Sequence, residues 1–212
     1  MKPFFIAIDG VDGTGKSTQV ELLVKWLAKR GYSVEKSCEP GGTSTGKKIR
    51  ALLVSKESQM ETDTELLLFL ADRAEHQHKV IRLLKEGKSV VTDRFLPSTV
   101  AYQIYGRGLS PELLDAVSPL IIKRFPDLTI ILDMDEKTAL ERADKRLRAE
   151  GKSLSEGRFE AEGQAFFAKV REGFRACALD KRLGYSLIVD SSGSTEEVAL
   201  RIQDVLIKEL GL

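Results

Sequence analysis

Residues 4–18, Phe-Phe-Ile-Ala-Ile-Asp-Gly-Val-Asp-Gly-Thr-Gly-Lys-Ser-Thr, restrict the possible folds of this chain more than any other stretch. The apolar run 4–8 reads as a buried strand. It leads straight into Gly10, four further residues, and Gly15-Lys16-Ser17, the G-x-x-x-x-G-K-[ST] spacing of a phosphate loop. Val20, Leu23 and Leu27, with Leu22 and Trp26 beside them, then recur at helical spacing, so a helix opens at about Lys16. Gly10, Gly13 and Gly15 allow the backbone to curl and turn several N–H groups toward one anion. The start of the helix adds its positive end to the same place. Lys16 supplies a mobile cation for the β- and γ-phosphates, and Ser17 a hydroxyl for Mg²⁺. A chance glycine turn would need neither flank. Gly10, Val11, Asp12, Gly13, Thr14, Gly15, Lys16, Ser17 and Thr18 are therefore read as a nucleoside-triphosphate site.

Beyond that loop, strand and helix patterns alternate. Strands are expected at 33–38, 89–92, 128–132 and 185–189, and helices around 49–53, over 63–86, 96–105, 111–124, 136–149, 159–182 and 195–210. Pro119 should kink or split the helix it falls in. Five strands each followed by helix predict an α/β fold of the P-loop NTPase type, a five-stranded parallel sheet with helices on both faces. The length of 212 residues suits one such domain, and the polar, glycine-bearing stretch 150–158 is the segment expected to move. Net charge is +1, without the basic excess of a nucleic-acid binder. Two cysteines, Cys38 and Cys177, do not make a disulfide framework. Neither a signal peptide nor an apolar stretch near 18 residues is visible, so no membrane association and a cytoplasmic location are expected.

A phosphate loop alone does not separate motor, switch, transporter and kinase. The Asn-Lys-x-Asp guanine reader of a GTP switch is missing. The strand 89–92 lands on Asp93-Arg94, at the strand ends where ligands of open α/β sheets bind. Asp93 is thus a candidate Mg²⁺ neighbour, and Arg94 a planar fork for a second phosphate. Phe69 and Arg73 lie one helical turn apart in Leu-Leu-Leu-Phe-Leu-Ala-Asp-Arg-Ala-Glu-His, where an aromatic and a guanidinium can hold a nucleobase. Taken alone that pair equally suits a core aromatic and a solvated helix end, and His76 and His78 show no zinc-ligand spacing. Ser98, Thr99, Tyr102 and Gln103 put unusual polar density on a covering helix. A basic run, Arg142, Lys145, Arg146, Arg148, Lys152 and Arg158, surrounds the stretch expected to move, and such runs are ordinarily solvated faces.

Together, Phe-Ile-Ala-Ile-Asp-Gly-Val-Asp-Gly-Thr-Gly-Lys-Ser-Thr-Gln, Glu39-Pro-Gly-Gly-Thr, Leu-Leu-Leu-Phe-x-Ala-Asp-Arg-Ala-x-His, Asp93-Arg94-Phe, Ala101-Tyr-Gln and Gly106-Arg-Gly resemble the thymidylate kinases, in that family's order. The closing Asp190-Ser-Ser-Gly-Ser-Thr-Glu-Glu-Val resembles the family's adenine-side loop. The resemblance implies a single nucleoside monophosphate kinase-like domain over 1–212, with a mobile lid at about 148–160. It implies transfer of the γ-phosphoryl of ATP to dTMP, with Mg²⁺, by a homodimer. Phe69 would stack on thymine, Arg73 donate to its O4, and Thr99 and Gln103 meet its other edge. Tyr102 would press on the deoxyribose, Asp12 accept from the 3′-OH, and Arg94, lined by Arg50, hold the monophosphate. Arg142 falls to the donor nucleotide, and Arg148 or Arg158 of the lid to the transferring phosphoryl. Part of the family carries an arginine after the Asp12 position; Gly13 stands there, so a lid arginine must supply that charge, as in the bacterial pattern. Cys38 replaces the usual arginine before Glu-Pro-Gly-Gly, and Gly157 the usual aspartate before the lid arginine.

Two other readings remain at this point: a P-loop kinase for dUMP, CMP or a nucleoside, and a non-catalytic nucleotide-binding module. Cytosine would bring its amine donor against Arg73, which has no acceptor. A silent module would not need Lys16, Ser17, Asp93 and a second phosphate clamp together.

Overall fold

Five parallel strands form one sheet in the order β2-β3-β1-β4-β5, with the strand that feeds the phosphate loop at its centre. This architecture is a computed structural model that describes residues 2–55, 57–149 and 162–212, apart from the side chains at 146, 147 and 149. The chain runs β1 (Phe5–Gly10), α1 (Lys16–Lys29), β2 (Val34–Cys38), α2 (Ser44–Val54), α3 (Thr62–Lys85) and β3 (Ser89–Asp93). It continues through α4 (Leu96–Thr99), a π-helical stretch Val100–Gly106, α5 (Glu112–Ile121), β4 (Leu128–Asp133) and α6 (Glu136–Ala149). After 161 come α7 (Gln164–Leu179), a 3-10 turn Lys181–Leu183, β5 (Ser186–Asp190) and α8 (Thr195–Leu210).

Alternation along β1 and the residue before it sets the layers. Phe4, Ile6 and Ile8 enter a core with Val20, Leu23 and Leu27 of α1 and Val198, Ile202 and Leu206 of α8. Phe5 and Ala7 face the other way, onto Leu66, Leu70, Val80 and Leu83 of α3 and Leu114 of α5. Both faces of the sheet are covered, as a parallel sheet requires. A third cluster seats Phe166, Phe167, Val170 and Phe174 of α7 against Ala101, Tyr102 and Ile131. The register pairs Ile8 and Cys38 with Asp93, Gly10 with Leu132, and Asp133 with Asp190. The strand ends that carry chemistry are thereby aligned along one edge, with the order reversing around β1.

Most expected elements are present within a residue or two, and three differ for physical reasons. The stretch expected as one helix over 96–105 turns π-helical from Val100, where α7 crosses it closely. A Cβ on Gly173 would lie 2.8 Å from Cα of Ala101, and one on Gly106 2.6 Å from the Phe166 ring. The wider turn carries Tyr102 toward Asp12 and Gln103 toward Glu65. Helix α5 is not split at Pro119; it stops at Ile121, three residues before the expected end, because Gln77 Oε1 accepts the N–H groups of Lys123 and Arg124 at 3.0 and 2.8 Å. The expected helix 159–182 is α7 alone: 159–161 lie outside the described residues, Gly163 with φ 82° precedes the helix, and Asp180 caps the 3-10 turn that follows. No helix among the described residues is long and apolar enough to cross a membrane.

Candidate active site

The site grows from three strand ends. From the last residue of β1 onward, Gly10, Gly13 and Gly15 all have positive φ, 134°, 89° and 88°. Two of them also answer to crowding: a Cβ on Gly10 would lie 2.4 Å from the Leu132 carbonyl oxygen, and one on Gly13 1.8 Å from that of Ala139. A Cβ on Gly15 would meet nothing within 4 Å. That open position lies directly at the N-terminus of α1, the concave, positive end where a phosphate binds. Lys16 turns back over the loop, its Nζ donating to the Val11 carbonyl at 2.8 Å and to Asp12 Oδ1 at 3.5 Å. Burial, with Arg94 nearby, lowers its pKa, against the pull of Asp12, Asp93 and Asp9.

Beside the loop, Ser17 Oγ donates to Asp93 Oδ2 at the end of β3. Two hard oxygen ligands thus stand together next to the phosphate cradle. The pair suits Mg²⁺, which takes one or two protein oxygens and completes its octahedron with water and phosphate oxygens.

On the other side of the loop lies a cavity of about 520 Å³. Gly13, Thr14, Gly15 and Thr18 form one wall, and Arg142, Ser191, Gly193 and Ser194 face them. Arg142 donates to the Ser191 and Gly193 carbonyls at 3.5 and 3.4 Å, and Gln19 Nε2 to the Thr195 carbonyl at 2.9 Å. The loop before α8 is thereby tied to α6 and α1, and the cavity runs from the phosphate cradle along it.

A second cationic group faces the loop from β3. Arg94 has φ 74°, a left-handed conformation uncommon outside glycine. That turn sends its guanidinium back over the end of β1, where Nη1 donates to Ser98 Oγ at 2.7 Å and to the Gly10 carbonyl at 3.4 Å, and Nη2 to Asp12 Oδ1. Tyr102 donates to Asp12 Oδ2 at 2.7 Å. Burial works against the Arg94 charge, but Asp12, Asp9 and Asp93 more than offset it and hold its pKa well above the ordinary value. Burial and the Asp12 carboxylate likewise push the Tyr102 phenol far up. Asp12, Lys16, Arg94 and Tyr102 are therefore one cluster.

Three of the donors of Arg73, one of the residues assigned to base reading, are already engaged by the protein. Arg73 is 2% exposed, and Nε donates to Glu39 Oε2 at 2.7 Å, Nη1 to Thr99 Oγ1 at 2.7 Å and Nη2 to the Phe95 carbonyl at 2.9 Å. With five N–H donors, it keeps one hydrogen on each Nη. Thr99 accepts from Arg73 and retains its hydroxyl proton. Gln103 is buried, its Nε2 donating to Glu65 Oε1 at 2.9 Å. Phe69 is half-buried on α3, one turn before Arg73. Arg50 is exposed and donates to the Pro40 carbonyl at 3.0 Å. Arg148 is also exposed and pairs with Asp144 at 2.8 Å; Arg158 lies outside the described residues, as does most of the expected lid.

Several supporting residues had no assigned role. Asp9, fully buried, accepts from the Ser98 hydroxyl at 2.6 Å and from the Phe95 and Ser98 N–H groups at 3.0 and 3.2 Å, pinning the start of α4 to β1. Burial raises its carboxyl, against the lowering effect of Arg94. An acid inside an otherwise apolar strand run was the available signal. His76 donates Nδ1–H to Glu39 at 2.6 Å and meets Ser37 Oγ through Nε2 at 2.7 Å, so it is a buried bracket and not a surface histidine. Its spacing of three from Arg73 places both on one helical face, which was legible; their shared partner was not.

The sheet order, the glycine loop with its lysine at a helix start, and the paired oxygens beside it define a P-loop nucleotide-binding enzyme fold. A family model described as thymidylate kinase matches residues 8–202. The chain belongs to the thymidylate kinase family. It is 40% identical over 205 residues to a thymidylate kinase of Oleidesulfovibrio alaskensis, covering 95% of this chain and 96% of that one. It is 42% identical over 209 residues to one of Solidesulfovibrio magneticus, covering 97% of this chain and all of that protein, 100%. The crystal structure of a thymidylate kinase from Ehrlichia chaffeensis superposes with a TM-score of 0.76 at 31% identity, covering 97% of this chain and 100% of that one.

Proposed function

We infer that this protein transfers the γ-phosphoryl of ATP to dTMP, giving dTDP and ADP. The observation that carries the reading is a shared carboxylate oxygen. Asp12 Oδ1 contacts both Lys16 Nζ, at 3.5 Å, and Arg94 Nη2. The cation of the donor-phosphate loop and the cation offered to an acceptor phosphate thus stand next to each other, close enough for two phosphates held by them to meet.

On this reading, the donor nucleotide lies in the 520 Å³ cavity with its triphosphate on the loop N–H groups. Lys16 holds charge against the equatorial oxygens of the moving phosphoryl. Arg94 draws the acceptor phosphate into line, while Asp12 takes the 3′-OH contact and orients the sugar, with Tyr102 against its ring. Asp12 already holds Arg94 and Tyr102, so acceptor binding exchanges contacts within a preformed cluster. Ser17 and Asp93 would hold Mg²⁺, which neutralises charge on the donor's β- and γ-oxygens when bound. Arg73 and Phe69 would hold the base, and Arg158 or Arg148 of a lid would add the charge that Gly13 does not bring. A homodimer of single-domain subunits in the cytoplasm belongs to the same reading, supported by the family.

An ADP-release assay with ATP and Mg²⁺ tests it, run on dTMP, dUMP, CMP, dGMP and thymidine. Turnover is expected to be fastest on dTMP. A preference for CMP or thymidine over dTMP overturns the reading.

A further inference from the structure

Gln103 is held by an acid to which the reaction assigns no role. Its Nε2 donates to Oε1 of Glu65, at 2.9 Å, and Glu65 is fully buried on α3. Arg107 lies side-on to the same carboxylate: its Nε reaches Oε1 and its Nη2 reaches Oε2, each at 3.3 Å. The remaining Nη1 of Arg107 donates to Glu162.

A primary amide has a donor end and an acceptor end of nearly the same shape, and only its neighbours decide which way each points. An ionised carboxylate offers lone pairs alone, and a guanidinium offers donors alone. Both Glu65 oxygens face the Arg107 guanidinium, which has only donors to offer, so they stand as acceptors toward it and toward Gln103. Turned over, the amide of Gln103 would set carbonyl oxygen against carboxylate oxygen in a buried site, where an unpaired polar contact is costly. The NH₂ group must therefore face Glu65, and Oε1 points away from it. No protein hydrogen bond to that Oε1 is formed among the described residues.

This matters because of what lies beside it. Thr99, one turn before Gln103, accepts from Arg73, which brings only donors. If both meet the base, Arg73 and Gln103 present it with a donor and an acceptor. Thymine and uracil offer the complementary pair, the O4 acceptor and the N3–H donor. Cytosine offers the reverse at both atoms, an amine and a bare N3. With its amide turned over, Gln103 would match cytosine N3.

We propose that Glu65, locked by Arg107, is a specificity-determining positioning residue: it holds Gln103 acceptor-outward, so the site takes a pyrimidine monophosphate with an N3–H and refuses one without. This rests on the reading that Gln103 meets the base, and the test separates the two. Steady-state kinetics on dTMP, dUMP and dCMP are compared for wild type, Glu65→Gln and Gln103→Leu. Glu65→Gln keeps the shape but adds an NH₂, so Gln103 can sit either way round. The dTMP:dCMP ratio of kcat/KM should narrow by about tenfold or more in Glu65→Gln, mainly through KM, and in Gln103→Leu as well. A merely structural role for Glu65 would lower activity on all three nucleotides equally and leave the ratio unmoved. If Gln103→Leu narrows the ratio and soluble Glu65→Gln leaves it within about twofold of wild type, the positioning role is overturned while base reading by Gln103 stands. If Gln103→Leu leaves the ratio unchanged, base reading by Gln103 fails, and the proposal with it. Should Glu65→Gln not fold, side-chain amide exchange in wild type decides the question. The NH₂ resonance that vanishes in Gln103→Leu should stay protected with and without dTMP. Loss of that protection on binding means the amide turns to the base, and the proposal fails.

Discussion

Glu39 and Arg73, 34 residues apart in sequence, meet at 2.7 Å in the interior, with only 3% and 2% of their side chains exposed. The other oxygen of Glu39 receives the Nδ1–H of His76, so one carboxylate fixes both a guanidinium and an imidazole of α3. Arg73 and His76 together hold the Glu39 carboxyl below its ordinary value despite the burial that opposes this.

Glu39→Gln therefore leaves a buried guanidinium without its countercharge. Breaking one side of a buried pair costs about 3–5 kcal/mol. Urea unfolding at pH 7 should report a loss of that order. Because the folded pKa is depressed, this stabilisation is fully present above the unfolded value of 4.5 and is lost as pH falls through the folded one. A variant as stable as wild type at pH 7 would show that Arg73 finds another acceptor.

Asp72 has the opposite sign. Its Oδ1 accepts the Gly41 N–H at 2.9 Å, but its buried Oδ2 has no hydrogen-bond partner among the described residues. Burial raises its pKa from 3.8 to about 6. Between those values the folded chain holds a proton that the unfolded chain has released, so stability falls as pH rises from about 4 to 6 and then levels. The span corresponds to at most about 3 kcal/mol. Relative to wild type, Asp72→Asn should gain stability across that window and no further above it. Urea unfolding at pH 4, 5 and 7 checks this; parallel curves for the two proteins would refute it.

The fold was legible because its rules are local. A glycine loop, a run of alternating strand residues and caps such as Ser194 with Glu197 declare themselves within a few positions. The phosphate loop was legible for the same reason. What lay hidden is the layer behind the reacting groups. Glu65 and His76 look like polar positions on a leucine-rich helix, yet both are fully buried, because Gln103, Arg107, Ser37 and Glu39 arrive from distant segments. Helical spacing reports neighbours three and four apart and says nothing of those arrivals. The π turn was hidden as well, since it is imposed by α7 packing on it.

The two phosphate cations should fail in different ways. Lys16→Ala removes charge from the transferring group and should lower kcat by about 10²–10³. Arg94→Lys keeps charge but cannot bridge Ser98 and Asp12 as the guanidinium does, so the KM for dTMP should rise roughly tenfold with the KM for ATP within about threefold. Should the ATP term move instead, the two phosphate sites are assigned in reverse.

The two arginines proposed for a lid can be told apart. Arg148 is 72% exposed and paired with Asp144 along α6, an arrangement worth little to stability. Arg148→Ala should keep turnover within about threefold of wild type, whereas Arg158→Ala should lower kcat more than it raises the KM for dTMP. Equal turnover in the double variant would leave the lid as a cover only.

The last prediction separates two glycines of one loop. Gly13 and Gly15 share positive φ values of 89° and 88°, and a side chain at either stores strain of about 1–2 kcal/mol. Their surroundings differ. A Cβ at Gly13 would lie 1.8 Å from the Ala139 carbonyl oxygen and 2.7 Å from its carbon, all backbone of α6, so the helix itself would have to move. A Cβ at Gly15 meets no protein atom within 4 Å and projects into the cradle at the start of α1. Gly15→Ala should therefore fold, with a modest drop in melting temperature, and bind ADP at least tenfold more weakly because the methyl group stands where phosphate oxygens approach the N–H groups. Gly13→Ala should lose about 3 kcal/mol or more of stability together with binding. Thermal unfolding and ADP titration on both variants give the comparison. Normal ADP affinity in Gly15→Ala would mean that the phosphates do not pass over this residue, and the placement of the donor along the 520 Å³ cavity would have to be abandoned.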